Sequence, residues 1–187
     1  MNKDAQHLRP VADVIEANSA EFRKRALDHP ADLSVWTKLY TASQTMLSAM
    51  REGRVDAALV EISSNLLGCE DLAVVEIARE TGVVEFLITE GLSTEKRDAL
   101  IHRARFLDSC IELGKASIAV DRGKNQDALA SIGVSALVPL WADERSSGAM
   151  VLFQLLPQRS GFDAEDREVL QLLSLYAGQC LRSQTRV

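Results

Sequence analysis

The sequence predicts an α+β layered fold: an antiparallel sheet with helices gathered on one face and a further segment roofing the other. Three observations carry this. Apolar residues recur at helical spacing up to about residue 67, and from residue 71 the pattern changes to short runs rich in β-branched residues. Those runs form two hairpins separated by a helical crossover and a further strand, an order that suits antiparallel pairing with helices gathered to one side. The segments 71–78, 134–141 and 148–156 are almost continuously apolar, so both faces of the sheet must be covered. The helices should cover one face and residues 90–133 the other.

Each element follows from local pattern. Residues 8–28 place Val11, Val14, Ile15, Phe22 and Ala26 roughly on one helical face, and His29-Pro30 ends the run because a residue before proline is biased away from helix. A second helix is expected over 33–51, with Asp32 or Ser34 as N-cap and a stripe of Trp36, Leu39, Tyr40, Ser43, Leu47 and Met50. A third spans 54–67, with Val55, Leu59, Ile62 and Leu66 inward and Gly68 at its end. Strands are expected over 71–78 and 83–89, joined by Arg79-Glu80-Thr81-Gly82. An amphipathic helix over 93–114 buries Leu100, Ile101, Ala104, Leu107 and Ile111. A strand over 116–121, a polar loop over 122–126 and a short helix over 127–132 come next. Strands over 134–141 and 148–156 flank a polar turn, and Pro139 should break the pairing locally. The last helix spans 164–182 behind an N-cap at Asp163, with Val169, Leu172, Leu173, Tyr176 and Cys180 inward.

Composition excludes several classes of function. The formal net charge is −6, with 21 basic residues scattered among 27 acidic ones, so the basic stripe of a nucleic-acid binder is missing. No apolar run approaches the ~20 residues that span a bilayer, and the polar N-terminus lacks the core of a signal peptide. A cytoplasmic location follows as the expectation. Cys69, Cys110 and Cys180 are odd in number and widely spaced, which argues against a disulfide framework and a thiolate metal site.

The C-terminal third carries a family resemblance. Ala136-Leu137-Val138-Pro139-Leu140-Trp141, a polar turn, and Gly148-Ala149-Met150-Val151-Leu152-Phe153 resemble the final hairpin of a GAF domain. Phe162, Asp163 and Asp166, followed by the Leu-rich helix to Cys180, resemble the family's F-x-x-x-D and closing helix. Upstream, residues 59–67, Gly68 and 71–77 resemble its first helix and strand. The match covers about residues 35–183 and divides the chain into an N-terminal helical extension, 1–30, and a GAF-like domain, 31–187. The resemblance implies about six antiparallel strands, N- and C-terminal helices packed on one face, a roofed pocket on the other, and dimerisation through those helices. Members bind cyclic nucleotides, tetrapyrroles, haem, small metabolites or nothing, so the pocket has to decide.

The chemistries of the family fit poorly. Around Lys124-Asn125-Gln126-Asp127 the Phe and Asp-Glu of the cyclic-nucleotide motif are absent. Cys110 is followed by Ile111 and looks like helix core, which argues against bilin attachment. His7 and His29 lie outside the domain, and His102 stands beside arginines, so no haem ligand is evident. Where the methionine sulfoxide reductases of the family carry their nucleophile this chain has Ala128 and Ala130, which leaves only Cys110 for that enzyme reading. No G-x-S-x-G elbow and no phosphate-binding glycine loop exists. Glu76 and Glu85 should face each other or lie near each other in the first hairpin, where two solvated acids are the commoner case.

What remains is a binding module without catalysis, and no cofactor is expected. Phe86, Ile88, Phe106, Ile118, Ile132, Val134 and Val138 are the candidate lining of the pocket, with Arg103 or Arg105 as anchor for an anionic small molecule. The competing reading has these side chains fill the space. No length is left for an output domain, so a signal is expected to pass to a separate partner protein or across a homodimer. Trp36, Tyr40, Leu47, Tyr176 and Cys180 are the candidate interface residues. The first helix is too short of apolar residues to stand alone and needs a docking surface: a partner protein or, preferred here, the helical layer of its own or a paired chain.

Overall fold

The helix expected over 8–28 is present, and it docks on the same chain. The computed structural model describes residues 4–28, 32–114, 117–118 and 128–184. Helix α1 (Asp4–Asp28) runs along α2 (Leu33–Glu52) and α6 (Ala164–Gln184). It seats Ile15, fully buried, in the core beneath the helices, with Val11 and Phe22 packed at its edge. Val14 instead faces outward, half exposed. Gln44 donates to the buried Ser19 hydroxyl at 2.6 Å, and Asn18 donates to the Tyr176 hydroxyl. The helix end expected at His29-Pro30 lies outside the described residues.

Helix α2 buries a wider stripe than its spacing suggests: Leu39, Ala42, Ser43, Met46, Leu47, Ala49 and Met50. That width follows from its central place, with α1 on one side and α3 (Val55–Asn65) and α6 on others. Asp32 occupies the N-cap position but makes no capping hydrogen bond, and the Ser34 hydroxyl donates to Glu165 at 2.8 Å instead.

Five antiparallel strands are present among the described residues, one fewer than the resemblance implies, in the order β2-β1-β5-β4-β3. They are β1 (Leu72–Ala78), β2 (Val84–Glu90), β3 (Ser117–Ile118), β4 (Ala136–Ala142) and β5 (Ser146–Leu152). The expected strand over 116–121 is described only at its two β3 residues, and the loop over 122–126 lies outside the described residues. Glu76 and Glu85 are direct cross-strand partners, as their spacing predicts.

Two register shifts change which way side chains point. In β2 an extra residue, Leu87, lies between the pairs Val74–Ile88 and Val75–Phe86. In β4 an extra residue, Leu140, lies between Pro139–Ala149 and Trp141–Gly148. A bulge inserts one residue and breaks the period-2 alternation. Leu87 with Ile88, and Leu140 with Trp141, therefore both turn toward the helices. Proline has no N–H for the ladder, so the break at Pro139 is where a strand can tolerate it.

The sheet separates two cores. Leu72, Val74, Ala136, Val138, Met150 and Leu152 face α1, α2, α3 and α6. Ala73, Val75, Ile77, Leu137, Ala149 and Val151 face the roof. The roof is two helices, α4 (Thr94–His102) and α5 (Ala104–Glu112), where a single helix is predicted over 93–114. The chain leaves helical geometry at Arg103, with φ −110° and ψ 15°, and its N–H bonds the Leu100 carbonyl at 3.1 Å. The break lets α5 lay Ala104, Leu107, Cys110 and Ile111 flat on the sheet, while α4 buries only Leu100 and leaves Ile101 exposed.

Helix α6 begins with a reciprocal cap. The Asp163 carboxylate accepts from the Asp166 N–H at 2.8 Å, and the Asp166 carboxylate accepts from the Asp163 N–H at 3.0 Å. Asp166 is fully buried and also receives Lys38 at 2.7 Å and Arg159. It thereby ties α2, α6 and the 153–163 connection together. No helix among the described residues is long and apolar enough to cross a membrane.

Candidate functional site

The front of the sheet, under α4 and α5, gathers four of the residues expected to line a pocket. Leu107, Cys110 and Ile111 of α5 form one buried cluster with Leu129 and Val134 and with Val75, Leu137, Val151 and Phe153 of the sheet side. Phe153, Leu107 and Cys110 are at most 1% exposed. Around this dry centre lie Val84, Phe86, Leu92, Phe106 and Ile132, each only partly buried. These partly buried groups form its perimeter.

The structure divides the expected pocket residues. Phe86, Phe106, Ile132 and Val134 share the front face. Ile88 and Val138 do not join them. The Leu87 bulge turns Ile88 to the helical side, and Val138 alternates with Leu137 and faces the helices too. Val134 escapes that alternation because it precedes β4, held by a bond from its N–H to the Leu129 carbonyl at 3.0 Å. The side chain of Ile118 lies outside the described residues. Arg103 is exposed at the α4–α5 break, on the outside of the roof.

Two polar clasps fix the roof to the sheet, and the spacing of hydrophobic residues does not reveal them. At one end Lys96 of α4 pairs with Asp71 before β1 and lies over the Phe153 ring, 5.5 Å from its centroid. Next to it the Arg97 guanidinium covers Phe86 at 4.7 Å. At the other end Arg79, just after β1, reaches Asp108 at 3.4 Å and Glu112 at 3.0 Å on α5. The Ser147 hydroxyl of β5 donates to Asp108 at 2.6 Å. A signal for this clasp does exist in the sequence: Asp108 and Glu112 are four apart on a helix, hence on one face.

The thiols are core groups. Cys69, Cys110 and Cys180 are all buried. Burial pushes the Cys69 and Cys110 thiols above their ordinary range and the Cys180 thiol up to about 12. A nucleophilic cysteine needs the opposite, an accessible group with a lowered pKa. The side chain of His7 and the whole of His29 lie outside the described residues. His102 is exposed, its Nδ1 2.7 Å from the Asp98 carbonyl oxygen.

The expected interface residues divide as well. Leu47, Tyr176 and Cys180 are not on an outer surface: they are buried within the single chain, in the helical core that α1 helps to close. Trp36 is half-buried, with the Phe22 ring stacked at 6.1 Å and the Arg25 guanidinium 5.0 Å from its own ring centroid. Tyr40 is half-buried too. Their apolar stripe exceeds what the sheet needs because α1 covers the remainder.

No protein-family profile matches the chain, and neither does any curated protein. Among solved structures it is similar to the GAF domain of a protein described as a sensor histidine kinase from Pseudomonas syringae pv. tomato. That match has 18% identity and a TM-score of 0.51, over 83% of this chain and 92% of that one. It is also similar to a domain of a protein described as a two-component sensor histidine kinase from Sinorhizobium meliloti 1021. There the identity is 15% and the TM-score 0.48, over 72% of this chain and 92% of that one. The chain has a GAF-like α+β fold.

Proposed function

We propose that this chain is a non-catalytic sensory module that takes a small molecule between roof and sheet and transmits the event through α6 to a second copy or a partner protein. One observation carries the reading: β4 crosses the front face and is joined directly to α6 behind it. The Ser174 hydroxyl of α6 donates to the Pro139 carbonyl at 2.6 Å, and Gly178 lies against the Leu140 main chain. A displacement of β4 by a ligand beside Val134 and Leu137 would have to move α6, since close-packed elements do not deform continuously. The P. syringae domain, described as part of a sensor histidine kinase, fits a sensory role.

The test is native mass spectrometry of freshly purified protein, repeated on Val134→Trp, which fills the front face. A small molecule retained by the wild type and lost from the variant supports the reading. A molecule retained equally by both refutes this location for the ligand.

A second reading, a scaffold whose front face is filled by its own side chains, is favoured by the dry centre at Leu107, Cys110 and Phe153. It expects no retained molecule and no change in amide exchange of α6 on incubation with metabolite mixtures. Under either reading the dimer contact would use apolar groups left outside on the helical layer, such as Val14, Leu33 and Leu175, which are 50–57% exposed. Light scattering that gives a monomeric mass at tens of micromolar (an affinity weaker than about 6 kcal/mol) would remove the dimer from the proposal.

A further inference from the structure

β2 is the outermost strand on its side of the sheet, and among the described residues no other strand pairs with its outer edge. Half of its peptide N–H and C=O groups point away from β1, which makes the edge a template for another extended chain. The Leu87 bulge leaves two regular stretches, Val84–Phe86 and Ile88–Glu90. The second borders a groove of about 540 Å³ between β2 and α3. Val60, Ser64 and Ile88 are its half-buried lining, and the exposed lining includes Asp56, Glu61 and Glu90 with no lysine or arginine. Glu85 adds a further exposed acid on the same strand.

We propose that this edge accepts an extended segment of a partner protein in which basic and apolar residues alternate. Strand addition would place every second side chain of the incoming segment over the groove and the others beside Phe86. Lysine or arginine over the groove would meet Asp56, Glu61 and Glu90, and an apolar residue would extend the contact at Phe86. A second copy of this chain is the poorer occupant. Its own β2 would bring Glu85 and Glu90, with the acids of its α3, against the same acids, and like charges across paired strands destabilise them. The proposal stands independently of the ligand reading above.

The test uses the full chain and a fluorescent peptide of about ten alternating valine and lysine residues, a strand's usual length, followed by fluorescence anisotropy at 0.15 M salt. Saturable binding is expected. N-methylation of alternate peptide nitrogens should weaken it about tenfold, as loss of two backbone hydrogen bonds does. Glu61→Lys and Glu90→Lys, both at exposed positions and checked by circular dichroism, should each weaken it about two- to fivefold, and replacing the peptide lysines with glutamate should abolish it. Equal binding of the methylated peptide would mean adsorption by charge alone and would overturn the assignment, as would absence of binding or indifference to both reversals. If the peptide instead competes with dimerisation of the chain, the edge belongs to a second copy and the proposal fails.

Discussion

Gly178 of α6 backs onto the main chain of Leu140 in β4 so closely that a Cβ built there would lie 2.1 Å from the Leu140 carbonyl oxygen. The neighbour is backbone, so it cannot swing aside as a flexible side chain would. The bulge that displaces Leu140 toward the helices creates this contact, and the missing side chain of Gly178 makes it possible.

Gly178→Ala separates helix propensity from packing. In an unhindered helix interior the change would add about 1 kcal/mol of stability. Here overpacking against a fixed carbonyl should reverse the sign and leave a net loss of about 2 kcal/mol. Urea unfolding measures it; a variant as stable as the parent, or more so, would show that α6 and β4 are not in rigid contact.

Ile15→Ala tests whether α1 is part of the domain in solution. Ile15 is fully buried, and truncating a buried isoleucine costs about 2–4 kcal/mol where the site cannot collapse. The outwardly directed Val14→Ala should cost well under 1 kcal/mol. If both substitutions are neutral in thermal unfolding, the helix is undocked.

Asp166→Ala should be among the most damaging surface-distant changes outside the apolar core. The carboxylate is fully buried while Lys38 and Arg159 retain about a fifth of their exposure. The loss should fall between the exposed and buried limits, at about 2–4 kcal/mol. Asp166→Asn keeps the helix cap and should lose less. Equal losses for the two, read by chemical denaturation, would assign the whole effect to the ion pairs with Lys38 and Arg159.

Asp143 makes stability depend on acid. Its carboxylate accepts from the Ser146 and Arg145 N–H groups in the hairpin turn and pairs with Arg182 at 2.6 Å, which together hold its pKa at about 2. A carboxyl depressed in the folded state contributes fully above its unfolded value of about 3.9 and loses that contribution as pH falls through the folded value. The Tm advantage of the wild type over Asp143→Ala should therefore be constant above about pH 5 and shrink between pH 4 and 2. A gap that persists unchanged at pH 2 would contradict this.

The three thiols should stay silent to a thiol reagent at neutral pH until the protein unfolds, because burial both hides them and raises their pKa. A fast-reacting Cys110 in the native protein, or thioredoxin-coupled turnover of free methionine sulfoxide lost in Cys110→Ser, would reopen the enzyme reading.

Much of this architecture was legible from local pattern. The two strand-forming hairpins, the helical layer, the Asp163 cap, the Glu76–Glu85 pairing and the break at Pro139 all follow from periodicity and turn chemistry within a few residues. The candidate pocket was legible only in part. Phe86, Phe106, Ile132 and Val134 converge as expected, but a strict alternation also put Ile88 with Phe86 and Val138 with Val134.

The amino-acid order alone determined where the chain is helical or extended and which stripes are apolar, because those depend on spacings of two and of about three and a half residues. Tertiary structure decided which face each stripe meets. One bulged residue at Leu87 inverts the parity that follows it, and the docking of α1 turns the apparent outer stripe of Leu47, Tyr176 and Cys180 into core. The clasps of Arg79 with Asp108 and Glu112, and of Lys96 with Asp71, join residues 25 to 33 positions apart, of which only the four-residue spacing of Asp108 and Glu112 is a local signal. Such pairings depend on how sheet and roof come together in space, which no local periodicity records.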